Sequence, residues 1–174
     1  AHCDLRKCFE NFKYSHASIM YNAHEEIPRL TKLVQIGTRD YSEGELAYAK
    51  SSSGRVVTYL DKTIKERMYE GETWKEIVEE IVGQLPQKVY ISFDIDGLDP
   101  KLCPNTGTPV QGGFEAQQVY YLFRKIIESG RHLIGFDLNE VGISLNEWDE
   151  NVGARVLFKL CNLLIASNEA NATI

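Results

Sequence analysis

Four short runs of mostly β-branched and aromatic residues recur along the chain, and segments with turn or helical character lie between them. The runs are LTKLVQIG (30–37), RVVTYL (55–60), KVYISFDID (88–96) and HLIGFDLNEV (132–141). Nearly continuous apolar runs of this length are typical of strands covered on both faces. Since strands that alternate with helices form βαβ units, we predict an α/β fold with a mostly parallel sheet.

The segments that follow the strands carry helical patterns. TWKEIVEEIVGQL (73–85) repeats apolar residues at helical spacing, with Thr73 as its predicted N-cap and Glu72 as the alternative. Further helices are predicted at 44–52, 115–130 and about 146–166, and the tail SNEANATI (167–174) is predicted to be frayed. No repeat or linker divides the chain, so residues 1–174 are interpreted as one domain.

Composition excludes several classes of function. The net charge of −6 argues against nucleic-acid binding, and no apolar run reaches the roughly 20 residues that a membrane helix needs. The four cysteines form no CxxC pair, which favours free thiols in a reducing cytoplasm. The first residues, AHCDLRKCFE, lack a Met and already carry a His and an Asp, so we expect further residues to precede them.

Carboxylates gather where the third run ends, in SFDIDGLDP (92–100). Asp94 and Asp96 are two residues apart, so on a strand they would share a face, and ligands of parallel sheets bind beyond this end. Such a pair repels unless it shares a proton, a basic side chain or a metal ion. Solvated loop acids or helix caps are the alternative. His2 and Asp4 repeat the spacing, and a carboxylate-rich set with His favours Mn²⁺ among Mn, Fe, Ni and Zn.

Several segments resemble motifs of the ureohydrolases, the family of arginases, agmatinases and formimidoglutamases. AHCD looks like the remainder of a DAHxD motif, and SFDIDGLDP matches SxDxDxxDP. The similar segments, in chain order, are AHCD (1–4), YSHASI (14–19), LVQIGTRDYSEGE (33–45), SFDIDGLDP (92–100), PNTGTPVQGGF (104–114) and FDLNEV (136–141).

The resemblance implies a three-layer α/β/α fold, here an N-terminally truncated part of it, and two Mn²⁺ ions. By motif position, His2 and Asp96 would ligate one ion, Asp4 the other, and Asp94 would bridge both. Asp99 would shape the loop rather than bind metal. The Asp before AHCD and an upstream GGDH segment, which supply further ligands, are not in this sequence. We therefore expect this chain alone to bind Mn²⁺ weakly.

The implied reaction is hydrolysis of a guanidino or amidine carbon. His16 matches the His that transfers protons, although it could also be an ordinary loop residue. We place Gln118 where arginases carry a Glu that pairs with the guanidinium, and Ser42 stands where they carry an Asp for the α-amino group, unless it is simply a turn residue.

These two departures favour agmatinase, which releases urea from agmatine. Formimidoglutamase, arginase, guanidinobutyrase and a catalytically silent, metal-binding relative stay open as alternatives. The resemblance also implies a small-molecule substrate and a homo-oligomer, a trimer or hexamer.

Overall fold

Parallel strands and flanking helices make up the computed structural model, which describes residues 1–172. The strands are β1 (Leu33–Thr38), β2 (Val56–Leu60), β3 (Lys88–Asp94) and β4 (His132–Asn139). The helices are α1 (Ile19–Glu26), α2 (Glu43–Ser51), α3 (Asp61–Tyr69), α4 (Trp74–Gln84), α5 (Ala116–Glu128) and α6 (Trp148–Ala172). The predicted α/β class is confirmed.

All the strand pairing between these four strands is parallel, but it divides into two pairs. β1 pairs with β2, and β3 pairs with β4. Residues 1–4 lie at the ends of both pairs. The amide of Cys3 donates to the carbonyl of Asp40 at 3.1 Å, just beyond β1. The amino group of Ala1 lies 2.6 Å from Asp96, just beyond β3.

The main core lies between the β3–β4 pair and helices α4, α5 and α6. Alternate residues of β3 point into this core, where Val89 and Ile91 are buried. The opposite face is open, because Tyr90 on β3 and Ile134 on β4 are each 54% exposed. The prediction that the strands are covered on both faces is therefore wrong for this pair in the structure.

Helix α4 shows how the local sequence positions this core. It begins with a reciprocal cap between Thr73 and Glu76, which confirms Thr73 as the N-cap. One face of the helix is buried. Its fully buried side chains are Ile77, Val78 and Ile81. Trp74 joins the helix to α5 by donating from its indole nitrogen to the carbonyl of Gln118 at 3.1 Å.

Three segments differ from the prediction, and the first is α1, which was not predicted. α3 was not predicted, since DKTIKERMY is mostly polar and buries only Asp61 and Ile64. α6 extends to Ala172, so residues 167–172 are helical rather than frayed, and Ser167 is buried and accepts a hydrogen bond from the amide of Leu133 at 2.8 Å. Residues 173–174, the rest of the predicted tail, lie outside the described residues.

The remaining global expectations concern cysteines and membranes. All four cysteines are free thiols, and two of them, Cys3 and Cys103, are buried. Within residues 1–172, no helix has both the length and the apolar character needed to cross a membrane.

Candidate metal centre

The carboxylates identified from the sequence meet at the C-terminal ends of the strands. Asp94 is the last residue of β3 and pairs in register with Asn139, the last residue of β4. Asp96 follows two residues later in the chain, in a 3₁₀ turn over Ile95–Gly97, and is buried. The expectation that Asp94 and Asp96 share a strand face is thus wrong, although the turn still keeps their charges close enough to interact.

His2 and Asp96 form the closest pair at this edge. His2 Nδ1 lies 2.9 Å from Asp96 Oδ2, an ion-pair distance, and the amino group of Ala1 lies 2.6 Å from Asp96 Oδ1. Burial acts to raise the pKa of Asp96, but the hydrogen bond and charge of His2 act to lower it. The Asp96 contact likewise raises the pKa of His2. Oδ2 of Asp96 has no hydrogen-bond donor of suitable geometry among the described residues.

The pKa values of Asp4 and Asp94 are shifted in the opposite direction from that of Asp96. Burial, followed by the charge of Asp94, raises the pKa of Asp4 to about 6. Burial, followed by the charge of Asp96, raises the pKa of Asp94 to about 6 as well. Neither forms an ion pair with a Lys or Arg in the described part of the chain. No Lys or Arg therefore stabilises either carboxylate, although the charge of His2 acts to lower the pKa of Asp4.

The donor chemistry of these four residues fits a divalent cation that prefers oxygen and imidazole ligands, as Mn²⁺ does. Asp4 and Asp94, which have no Lys or Arg partner among the described residues, are the carboxylates that such an ion would neutralise. Within residues 1–172, however, no three His, Cys, Asp or Glu side chains are arranged so that they could hold a metal ion. These four residues therefore do not form a complete metal site by themselves.

His16 lies beside the segment that carries Asp4. It begins a 3₁₀ turn, His16–Ser18, and its side chain is exposed. The backbone of the two segments is joined, because the amide of Arg6 donates to the carbonyl of Ala17 at 3.1 Å. The imidazole has a ring contact with Phe9, at a centroid distance of 6.0 Å. Its proposed role in proton transfer stays a prediction.

Ser42 caps helix α2. Its hydroxyl accepts from the amide of Glu45 and donates to the Glu45 carboxylate at 2.8 Å, which closes a reciprocal cap. The other oxygen of the buried Glu45 carboxylate accepts from the amide of Leu5 at 3.0 Å, directly after Asp4. The interpretation of Ser42 as a turn residue accounts for these contacts, and a substrate contact stays a prediction.

Gln118 also takes part in a helix cap. Its side-chain oxygen accepts from the amide of Glu115 at 3.0 Å, at the start of α5. This contact uses the carbonyl oxygen that a guanidinium would need. Its interpretation as a catalytic and substrate-binding residue receives no geometric support from this cap.

Sequence reasoning missed Glu140, which lies just beyond β4. Its charge contributes to the raised pKa of Asp94, and its backbone has a φ of 61°, in the left-handed region. The side chain is exposed and forms no hydrogen bond or ion pair with another described residue. The signal was present in FDLNEV (136–141), whose Glu follows the strand end that faces Asp94.

Comparisons with known proteins show what the chain as a whole is similar to. The model of the arginase family matches residues 1–162. Arginase-1 of Bos taurus is 35% identical over 120 residues, which are 69% of this chain and 36% of the relative. An agmatinase of Sodalis glossinidius (strain morsitans) is 34% identical over 130 residues, 74% of this chain and 38% of the relative. The chain thus spans little more than a third of these curated relatives.

A solved structure extends the similarity to the fold. The proclavaminate amidino hydrolase from Streptomyces clavuligerus superposes with a TM-score of 0.77 at 27% identity. The match covers 96% of this chain and 54% of that one.

Proposed function

Because the chain belongs to the arginase family, we propose that the protein hydrolyses a carbon–nitrogen bond of a guanidino compound and releases urea, with agmatine as the substrate. The observation that carries the proposal is the pair Asp4 and Asp94. Both are partly buried, and neither has a Lys or Arg partner in the described residues. A partly buried carboxylate without such a partner is unfavourable, so its presence at a ligand-binding edge supports a cationic ligand.

We propose that His2, Asp4, Asp94 and Asp96 hold two Mn²⁺ ions together with ligands from outside residues 1–174. When bound, the ions supply water with a pKa near neutrality. His2 and Asp96 contact each other at 2.9 Å, so both would be redirected from their mutual contact to the metal. Since the metal replaces protons at Asp4 and Asp94, binding should release protons below about pH 6.

Two further side chains complete the proposed chemistry. Glu140 is the carboxylate that we assign to the cationic guanidinium, because it is exposed beside Asp94 and has no other described partner. His16 is assigned to proton transfer to the leaving amine, since its imidazole is exposed next to the Asp4 segment. Gln118 and Ser42 take a secondary place, because helix caps already use their side chains.

The choice of agmatine rests on Ser42. At 35% and 34% identity, the arginase and agmatinase relatives do not separate the two substrates. A hydroxyl that is shared with Glu45 provides no charge for an α-amino group, and agmatine has none. Formimidoglutamate, arginine and guanidinobutyrate are the alternatives that the assay must include.

We also propose a cytoplasmic homo-oligomer, a trimer or hexamer. The free thiols support the compartment, and the exposed Tyr90 and Ile134 support an additional contact on the open face of β3–β4.

The test is a substrate panel with the Mn²⁺-loaded protein. Agmatine, arginine, guanidinobutyrate and formimidoglutamate are supplied separately, and urea and formamide are measured. Urea from agmatine alone would support the proposal. Formamide from formimidoglutamate, or urea from arginine, would refute the substrate assignment, and no product with two ions bound would indicate a silent relative. His16→Ala should reduce turnover about 100-fold or more, whereas the matched control His132→Ala, which removes only a surface contact with Asn168, should not.

A further inference from the structure

Arg39 is the one arginine in the described residues whose guanidinium binds backbone carbonyls around the carboxylate site, and it binds five of them. It donates to the carbonyl of Asp96 at 2.6 Å, of Leu98 at 3.1 Å and of Gly97 at 3.5 Å. It also donates to the carbonyl of Val110 at 3.0 Å. The fifth acceptor is the carbonyl of Gly37, at the end of β1.

These carbonyls belong to three separate segments. One is the turn that carries Asp96, the second is the loop that leads to Gly113, and the third is the end of β1 itself. The first two also pair with each other, because the amide of Asp99 donates to Phe114 at 2.9 Å and the amide of Phe114 donates to Gly97 at 3.1 Å. A planar guanidinium with five N–H donors can hold such a set, and a lysine cannot.

The surroundings leave this guanidinium little room to move. A Cβ on Gly113 would lie 2.9 Å from Arg39 Nη2, and both Gly112 and Gly113 have positive φ near 95°. Asp61 lies against the same glycine pair, because a Cβ on Gly112 would lie 2.7 Å from its Oδ2. It is buried, accepts from the amide of Gly113 at 3.3 Å and offsets the Arg39 charge electrostatically. One oxygen of Asp61 has no hydrogen-bond donor among the described residues.

We propose that Arg39 is a positioning residue for the metal centre, which holds the turn at residues 96–98 in place and thereby orients the Asp96 carboxylate, with Asp61 as its counter-charge. Arg39 acts through backbone carbonyls, so its positive charge does not neutralise the carboxylates of the site. The consequence for metal binding rests on the proposed function, whereas the hold on the turn does not.

The test combines hydrogen exchange with Mn²⁺ binding in the protein that carries this chain. In Arg39→Met, the amides of Leu98, Asp99 and Phe114 should exchange about tenfold faster or more, while amides at the far end of the β3–β4 pair keep their rates. Mn²⁺ affinity, measured by equilibrium dialysis, should fall about 10- to 100-fold. Arg39→Lys should recover part of both losses. Arg124→Met, on the exposed face of α5, is the matched control and should change neither.

The outcomes separate the two proposals. Unchanged exchange rates at the three amides would overturn the positioning role. The same acceleration at every amide would also overturn it, because Arg39 would then be a general stabiliser. Mn²⁺ binding that is equal in the parent protein and Arg39→Met would also overturn it. If the parent protein binds no Mn²⁺, the proposed function fails, and the exchange pattern still decides whether Arg39 holds the turn.

Discussion

Removal of the Asp94 carboxylate should stabilise the metal-free protein at neutral pH. Asp94→Asn keeps the shape of the side chain and removes a charge that burial and Asp96 make unfavourable. Because the folded-state pKa is raised, the folded protein holds its proton more tightly than the unfolded chain does. Wild-type stability therefore falls as pH rises from about 4 to about 6, and this loss is complete above about pH 7.

The magnitude follows from the pKa of Asp94, which rises from 3.8 to about 6. A shift of about 2 units corresponds to about 3 kcal/mol between the two protonation states. The charge of Asp94 also raises the pKa of Asp4, so the measured gain in stability includes the loss of repulsion between these two carboxylates. We expect Asp94→Asn to gain up to about 3 kcal/mol at pH 8 and close to nothing at pH 4.

Urea denaturation in EDTA, measured at several pH values, provides the free energy of unfolding for each variant. Glu79→Gln, which removes an exposed carboxylate paired with Lys75 on α4, is the control and should stay within about 0.5 kcal/mol. With Mn²⁺ at 1,000 times Kd the order should reverse, because binding then stabilises the parent by about 4.1 kcal/mol, more than the variant gains. If, without metal, Asp94→Asn is less stable than the parent by the same amount at pH 8 and at pH 4, the reasoning is refuted.

Three further changes test individual side chains. Ser42→Ala should cost about 1 kcal/mol of stability through the lost cap of α2 and leave KM for agmatine unchanged; a KM increase of about tenfold would instead identify a substrate contact. Gln118→Ala should likewise lower the midpoint of urea denaturation and leave kcat/KM within about twofold, which the agmatine assay would check. Glu140→Gln should lower kcat/KM for agmatine about 10-fold or more while Mn²⁺ binding by dialysis stays the same, and an unaltered kcat/KM would contradict its assignment to the guanidinium.

The elements with strong local patterns could be predicted from the sequence. The segment predicted as a helix at 73–85 is α4, Trp74–Gln84, because apolar residues at helical spacing coincide there with a cap. The helix predicted at 115–130 is α5, Ala116–Glu128, for the same reason. α3 lacked such a pattern, since its helix follows β2 directly and buries little apolar surface. Sheet pairing was harder still, because no residue of β2 or β3 specifies its neighbour.

The candidate site also contains residues that could be predicted from the sequence and residues that could not. The acids could be found because SFDIDGLDP (92–100) combines a strand end with closely spaced carboxylates. Arg39 could not, because its acceptors are carbonyls, which every residue possesses, and they lie up to 71 residues away. Gln118 shows the converse problem. Its position by motif register suggested a ligand contact, whereas the structure shows the carbonyl oxygen in a helix cap.

The placement of positive charge explains how this edge can remain ready for a cation. An arginine paired directly with Asp94 would satisfy that carboxylate and would compete with any metal ion for it. Arg39 instead directs its guanidinium at the carbonyls of residues 96–98 and has Asp61 as its counter-charge. The turn is therefore held firmly while Asp4 and Asp94 keep their raised pKa values of about 6. The Arg39 guanidinium keeps the turn rigid, whereas Asp4 and Asp94 carry the charge that is not neutralised. A substitution that loosens the turn therefore need not change that charge.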